Sequence, residues 1–127
     1  MAEPILLIYN LDEGTDLQLR SLCEAQRICC RAVSPGEYAL PIGVLAGIPV
    51  AAPAEETLWA GFSEPMLVMC HMLSPQLDAF LMGMRQIGIR IPLKAVLTPA
   101  NVRWSSRRLR DELTTEHEAV THGRIGS

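Results

Sequence analysis

Residues Pro65 to Thr98 read PMLVMCHMLSPQLDAFLMGMRQIGIRIPLKAVLT: an apolar run, an amphipathic segment and a second apolar run, with almost no slack between them. Met66 to Cys70 is continuously apolar rather than alternating, the pattern of a strand covered on both faces. Ser74 then serves as an N-cap with Pro75 at the first helical position, and the stripe Leu77, Phe80, Leu81 and Met84 recurs at helical spacing. Gly88 is placed to end that helix in a left-handed conformation, and Leu93 to Leu97 forms a second strand that stops at Thr98-Pro99. The stretch predicts a strand–helix–strand unit.

Outward from it, the same order recurs in shorter form at Pro4 to Val33. Ile5 to Tyr9 is again continuously apolar, which predicts a second central strand. Asp12, Glu13, Gly14 and Thr15 supply turn residues and an N-cap at Thr15, with Gln18 at capping-box distance, before Leu19, Leu22 and Cys23 mark one helical face. Cys29 to Val33 reads as a strand nearer an edge, because Arg31 interrupts its apolar run. Between the units, Glu37 to Gly47 accommodates two helical turns, the second starting at Pro41. Val50 to Glu64 has the composition of a surface connector, with Trp59 and Phe62 pinning it to the core. A last helix follows Pro99, its inner face carrying Val102, Leu109, Leu113 and Val120. A length of 127 residues suits one domain, here residues 1–121, with 122–127 as a mobile tail.

Two strand–helix–strand units can be assembled in two ways. A ferredoxin-like α+β arrangement places both helices on one face of an antiparallel sheet, so its central strands should alternate apolar with polar, and these do not. The reading is therefore α/β: a three-layer domain around a four-stranded, mainly parallel sheet in the order 2-1-3-4. The connection of about thirty residues between strands two and three leaves room for the crossover helix that parallel strands need.

Composition excludes more than it assigns. A hydrophobic content of 49% supplies a core without disulfides or a metal. A formal charge of -3 argues against general attraction to nucleic-acid backbone or anionic lipid. The uncharged stretch Ala39 to Ala54 falls short of the roughly 18 residues a membrane span requires and is broken by Pro41, Pro49 and Pro53. Met1 to Pro4 has no basic residue ahead of a short apolar run, so it does not read as a signal peptide, and the expected location is the cytoplasm. Cys23, Cys29, Cys30 and Cys70 show no paired C-x-x-C spacing, which argues against disulfides.

Several segments carry a family resemblance. Pro65 to Met69, Gln76-Leu77-Asp78, Ile91 to Thr98 with Asn101 and Trp104, and more loosely Gly43 to Gly47, resemble a bacterial family known as the domain of unknown function numbered 3783. The most specific piece is Leu97-Thr98-Pro99-Ala100-Asn101 ending in Trp104. The resemblance implies a small cytoplasmic domain and brings no catalytic or binding residue with it.

With strands one and three parallel, ligands would bind where their C-terminal ends meet helix starts. The candidate site residues are then Asn10, Asp12, His71, Ser74, Thr98 and Asn101, with two helix N-termini offering unpaired N–H groups. Asp12 and Glu13 would repel a phosphate, and no G-x-G-x-x-G or G-x-x-x-x-G-K pattern is present. Cys70-His71 suggests a nucleophile pair, but adjacent strand residues point to opposite faces, so a structural cysteine beside a strand-exit histidine is the better reading. His117 and His122 stand five apart and do not share a helix face, so no metal and no cofactor is expected.

Arg103, Arg107 and Arg110 fall on one stripe beside Trp104, yet Asp111 and Glu112 offset much of that charge, which argues against nucleic-acid binding. Gly43 and Gly47 could let a helix lie close to its sheet or to a second copy of the chain. The leading expectation is a non-enzymatic interaction or regulatory module, able to self-associate or take a protein partner. The alternative is a small polar-ligand site or cryptic enzyme at the strand ends.

Overall fold

The computed structural model describes residues 3–50 and 62–126, with side chains placed up to 116. The elements are β1 (Ile5–Tyr9), α1 (Glu13–Ala25), β2 (Cys29–Ala32), α2 (Ile42–Leu45), β3 (Met66–Cys70), α3 (Ser74–Gln86), β4 (Leu93–Val96) and α4 (Ser106–Gly126), with a 3-10 turn at Pro35–Glu37. The expected contact at Trp59 lies outside the described residues, as does the side chain of Val120.

Alternation along the two central strands builds the layers, because successive side chains leave a strand on opposite faces. Leu6 and Ile8 of β1 with Leu67 and Met69 of β3 pack against Leu19 and Cys23 of α1 and Phe80 and Met84 of α3. Leu7, Tyr9, Met66, Val68 and Cys70 point the other way, onto Tyr38, Ile42, Leu45, Phe62 and Leu109. From Leu6 to Tyr9 and from Met66 to Cys70 no residue is more than 3% exposed, so both strands are covered on both faces as their sequence predicts. The domain is a three-layer α/β sandwich.

The strand order is β2-β1-β3-β4, with β1 parallel to β2 and β3 parallel to β4. Two of the three pairings are thus parallel, and each strand–helix–strand unit keeps its own strands adjacent, which separates the fold from the ferredoxin-like alternative. The central pairing is the correction. β1 and β3 run antiparallel, Ile5 opposite Cys70 and Tyr9 opposite Met66. The connection between β2 and β3 therefore leaves and re-enters at the same end of the sheet and needs no crossover. Continuous apolar runs report burial and not direction, which is why the sequence left this open.

The two units are internal copies. Counterparts stand 61 residues apart: Asn10 and His71 follow their strands with φ of 56° and 60°, and Arg27 and Gly88 follow their helices with φ of 60° and 77°. Ile28 donates to the Cys23 carbonyl as Ile89 donates to that of Met84. In the antiparallel pairing Leu7 faces Val68, its own counterpart, so a local two-fold axis runs through that pair. Leu22 and Gly83 are also counterparts, and a Cβ on Gly83 would stand 2.7 Å from a Leu22 methyl. Two leucines cannot occupy one axis, and the chain places a leucine on one side and a glycine on the other. The register changes only after the second helix, where Arg90, Ile91 and Pro92 are inserted ahead of β4, so that Leu93 stands 64 residues after Cys29.

Helix starts differ in detail from expectation. Asp12, not Thr15, caps α1, its carboxylate accepting from the Thr15 amide, and hydrogen bonding to the Thr15 side chain, then to that amide, lowers the Asp12 pKa from the ordinary value. Ser74 is the first residue of α3 rather than its cap; Leu73 takes the cap position without a side-chain bond. The 3-10 turn at Pro35–Glu37 begins earlier than read from Glu37, and Ser34 and Glu37 close a capping box on it. Pro41 caps α2 instead of opening it. Val102 lies ahead of α4, and residues 122 to 126, read as a tail, fall within the span of that helix. Gly43 is buried against Val102 of its own chain, whereas Gly47 follows α2 with φ 87° and is exposed, with no heavy atom within 4 Å of where a Cβ would stand.

Candidate functional site

Because β1 and β3 are antiparallel, the six residues expected to share one cleft are divided between opposite ends of the sheet. Asn10 and Asp12 follow β1 at the end where Tyr9 faces Met66. His71 and Ser74 follow β3 at the other end, with Thr98 and Asn101 beside them after the parallel β4. No shared strand-end cleft forms.

Most of these side chains are committed to the chain itself. The Asn10 amide donates to the carbonyls of Phe62 and Glu64 at 2.8 and 3.1 Å, while its oxygen accepts from the Tyr38 hydroxyl. It thereby ties the β1 exit to the segment entering β3. His71 has a ring nitrogen 3.1 Å from the Ala46 carbonyl. Asn101 accepts from the Thr98 amide and donates to the Val96 carbonyl, while the Thr98 hydroxyl accepts from the amides of Ala100 and Asn101. These are turn-locking bonds.

Cys70, Tyr9 and Cys23 are held in their protonated forms, while Cys30 is shifted the other way. Burial pushes the Cys70 thiol up from 9.0 to about 12, which keeps it protonated at neutral pH, and the thiol donates to the Val68 carbonyl. Burial also raises the pKa of Tyr9, although its hydroxyl shares a 2.7 Å bond with Ser106. A hydrogen bond with Cys30, followed by burial, raises Cys23, and the same bond lowers Cys30. Tyr9, Tyr38 and Phe62 form an aromatic cluster with centroids 4.4 to 5.8 Å apart, which explains how Phe62 anchors its connector. Arg108 lies 4.4 Å from the centroid of the Trp104 ring and Arg110 5.3 Å from that of Phe62. No three His, Cys, Asp or Glu side chains among the described residues converge as a metal cage.

The insertion in the second unit borders a groove. Between α3 and β4 runs a groove of about 590 Å³ lined by Leu81, Met84, Ile89 and Ile91 and rimmed by Arg85, Arg90 and Lys94. Met84, Ile89 and Ile91 are at most 9% exposed and form its floor, while all three cations are exposed. The Lys94 ammonium donates to the Ile91 carbonyl at 2.6 Å, which holds it over the insertion. No carboxylate lines this groove, and none of its three cations joins a salt bridge among the described residues. At the end of α3 the Gly83, Arg85 and Met84 carbonyls accept from the amides of Ile87, Gly88 and Ile89. On the far side of the same connector, Arg90 also borders a second hollow of about 390 Å³ with Asp12, Thr15 and Gln18.

Residues 65–120 match the family model DUF3783, a domain of unknown function. The DUF3783 match covers a little under half of the chain, beginning at β3 and taking in α3, β4 and the first part of α4. The groove falls wholly inside it, whereas Asn10, Asp12 and the first unit lie outside. Searches among curated proteins and among solved structures return no match. No helix among the described residues is long and apolar enough to cross a membrane.

Within the DUF3783 region, Ile91 and Lys94 stand in the stretch that carries the resemblance, but none of Arg85, Arg90, Ile91 and Lys94 is a candidate site residue in the sequence reading, where they look like a helix end and a strand start. A signal was present nonetheless. Aligning the two units at Arg27 and Gly88 exposes Arg90-Ile91-Pro92 as extra, and an insertion that breaks an internal repeat marks a surface only one copy possesses.

Proposed function

We propose that this protein is a non-enzymatic binding module and that its recognition surface is the groove between α3 and β4, which takes an anionic partner. The observation that carries this is charge segregation: a chain of net charge -3 gathers three cations and no acid over an apolar floor. Such a surface raises the local concentration of anions and orients them. The commitment of Asn10, His71, Thr98 and Asn101 to turns, and the raised pKa of Cys70, support binding over bond-making.

Native mass spectrometry of the chain purified from its own host tests this. An acidic species, small or protein, is expected on the wild type, and less of it on Arg90→Glu and on the milder Arg90→Gln, each checked for native circular dichroism. Equal retention by wild type and both folded variants would overturn the reading, as would a species carrying no anionic group.

A further inference from the structure

Resting on that binding reading, we infer that the groove between α3 and β4 takes a small amphiphilic anion, with one acidic head at the rim and an apolar body on the floor. The layout sorts by depth. Arg85, Arg90 and Lys94 are exposed at the mouth, whereas Met84, Ile89 and Ile91 lie beneath, with Leu81 between. A polyacidic peptide would use the cations and leave the floor without a partner; a purely apolar ligand would do the reverse. One head and one chain use both.

The volume of about 590 Å³ lies within the roughly 300–1,000 Å³ of small-molecule sites. Lys94 is pre-positioned by its bond to Ile91, and Arg90 stands in the inserted segment, free of any ion pair among the described residues. Arg90 can therefore turn both nitrogens of its fork to a carboxylate. The first unit serves as an internal control: its helix passes through Arg27 and Ile28 directly into β2, with no inserted residues to form a second groove of this kind.

Titration of the whole chain with sodium decanoate, followed by backbone amide NMR, tests the inference. Saturable shifts are expected at Met84, Arg85, Gly88 to Ile91 and Lys94, with little change at Arg27 and Ile28. Acetate, which has the head without the body, and hexaglutamate, which has many heads and no body, are each expected to bind at least tenfold more weakly. Arg90→Glu should weaken decanoate by at least tenfold, about 1.4 kcal/mol, and Arg90→Lys should restore part of the loss. Hexaglutamate outcompeting decanoate at these same amides would overturn the amphiphile while leaving an anion-binding groove in place. Shifts elsewhere, or none with any of the three probes, would remove both.

Discussion

Replacement of Phe80 by alanine is expected to cost about 3–5 kcal/mol, read as a fall in the denaturant midpoint at unchanged slope. Phe80 is fully buried and stands between α3 and the sheet face made by Leu6, Ile8, Leu67 and Met69. Truncation opens a cavity at the seam of both units, where rigid strands leave little freedom to collapse. Met82 on the same helix is 55% exposed, and Met82→Ala should stay within about 0.5 kcal/mol of wild type. Equal losses at the two positions would mean that α3 does not present Phe80 to the sheet. Since α3 is also one wall of the groove, that result would undermine the binding surface as well.

The second large effect concerns the axis between the units. Gly83→Leu forces a side chain into the space of Leu22, whose methyls already lie 2.7 and 3.2 Å from where the new Cβ would be, and should cost about 1–3 kcal/mol. Leu22→Gly alone should cost about 3 kcal/mol from lost packing and a helical glycine. The double exchange, Leu22→Gly with Gly83→Leu, puts one leucine back at one axial position. It should recover at least 1 kcal/mol relative to the sum of the singles, a coupling within the range of residues in contact. Strict additivity in equilibrium unfolding would show that the two helices do not cross at these counterparts.

Much of this fold is legible in the chain because it rests on periodicity. Ile5 to Tyr9 and Met66 to Cys70 announce two-sided burial by their lack of alternation, and the stripe through Phe80 and Met84 announces the helix that covers one side. Strand order follows from keeping each unit's strands together. Direction does not follow, since a run such as Met66 to Cys70 looks the same whichever way its neighbour points, and the expected strand-end cleft was lost with that one sign. Helix caps shifted by a few residues for a local reason: Asp12 and Thr15 are both able caps, and only the geometry of the turn after Asn10, at φ 56°, chooses between them. The groove was hidden differently. Its cations are ordinary exposed residues in sequence, and their convergence depends on a connector three residues longer than its counterpart.

The antiparallel centre decides where every other part lies, and through-space proton contacts between β1 and β3 test it most directly. Opposed α-protons approach closely at alternate pairs of an antiparallel ladder. Such contacts are expected within the set Ile5 with Cys70, Leu6 with Met69, Leu7 with Val68, Ile8 with Leu67 and Tyr9 with Met66. Contacts linking Ile5 to Met66 and Tyr9 to Cys70 would instead show parallel strands, bring Asn10 and His71 to one edge, and contradict the arrangement described above.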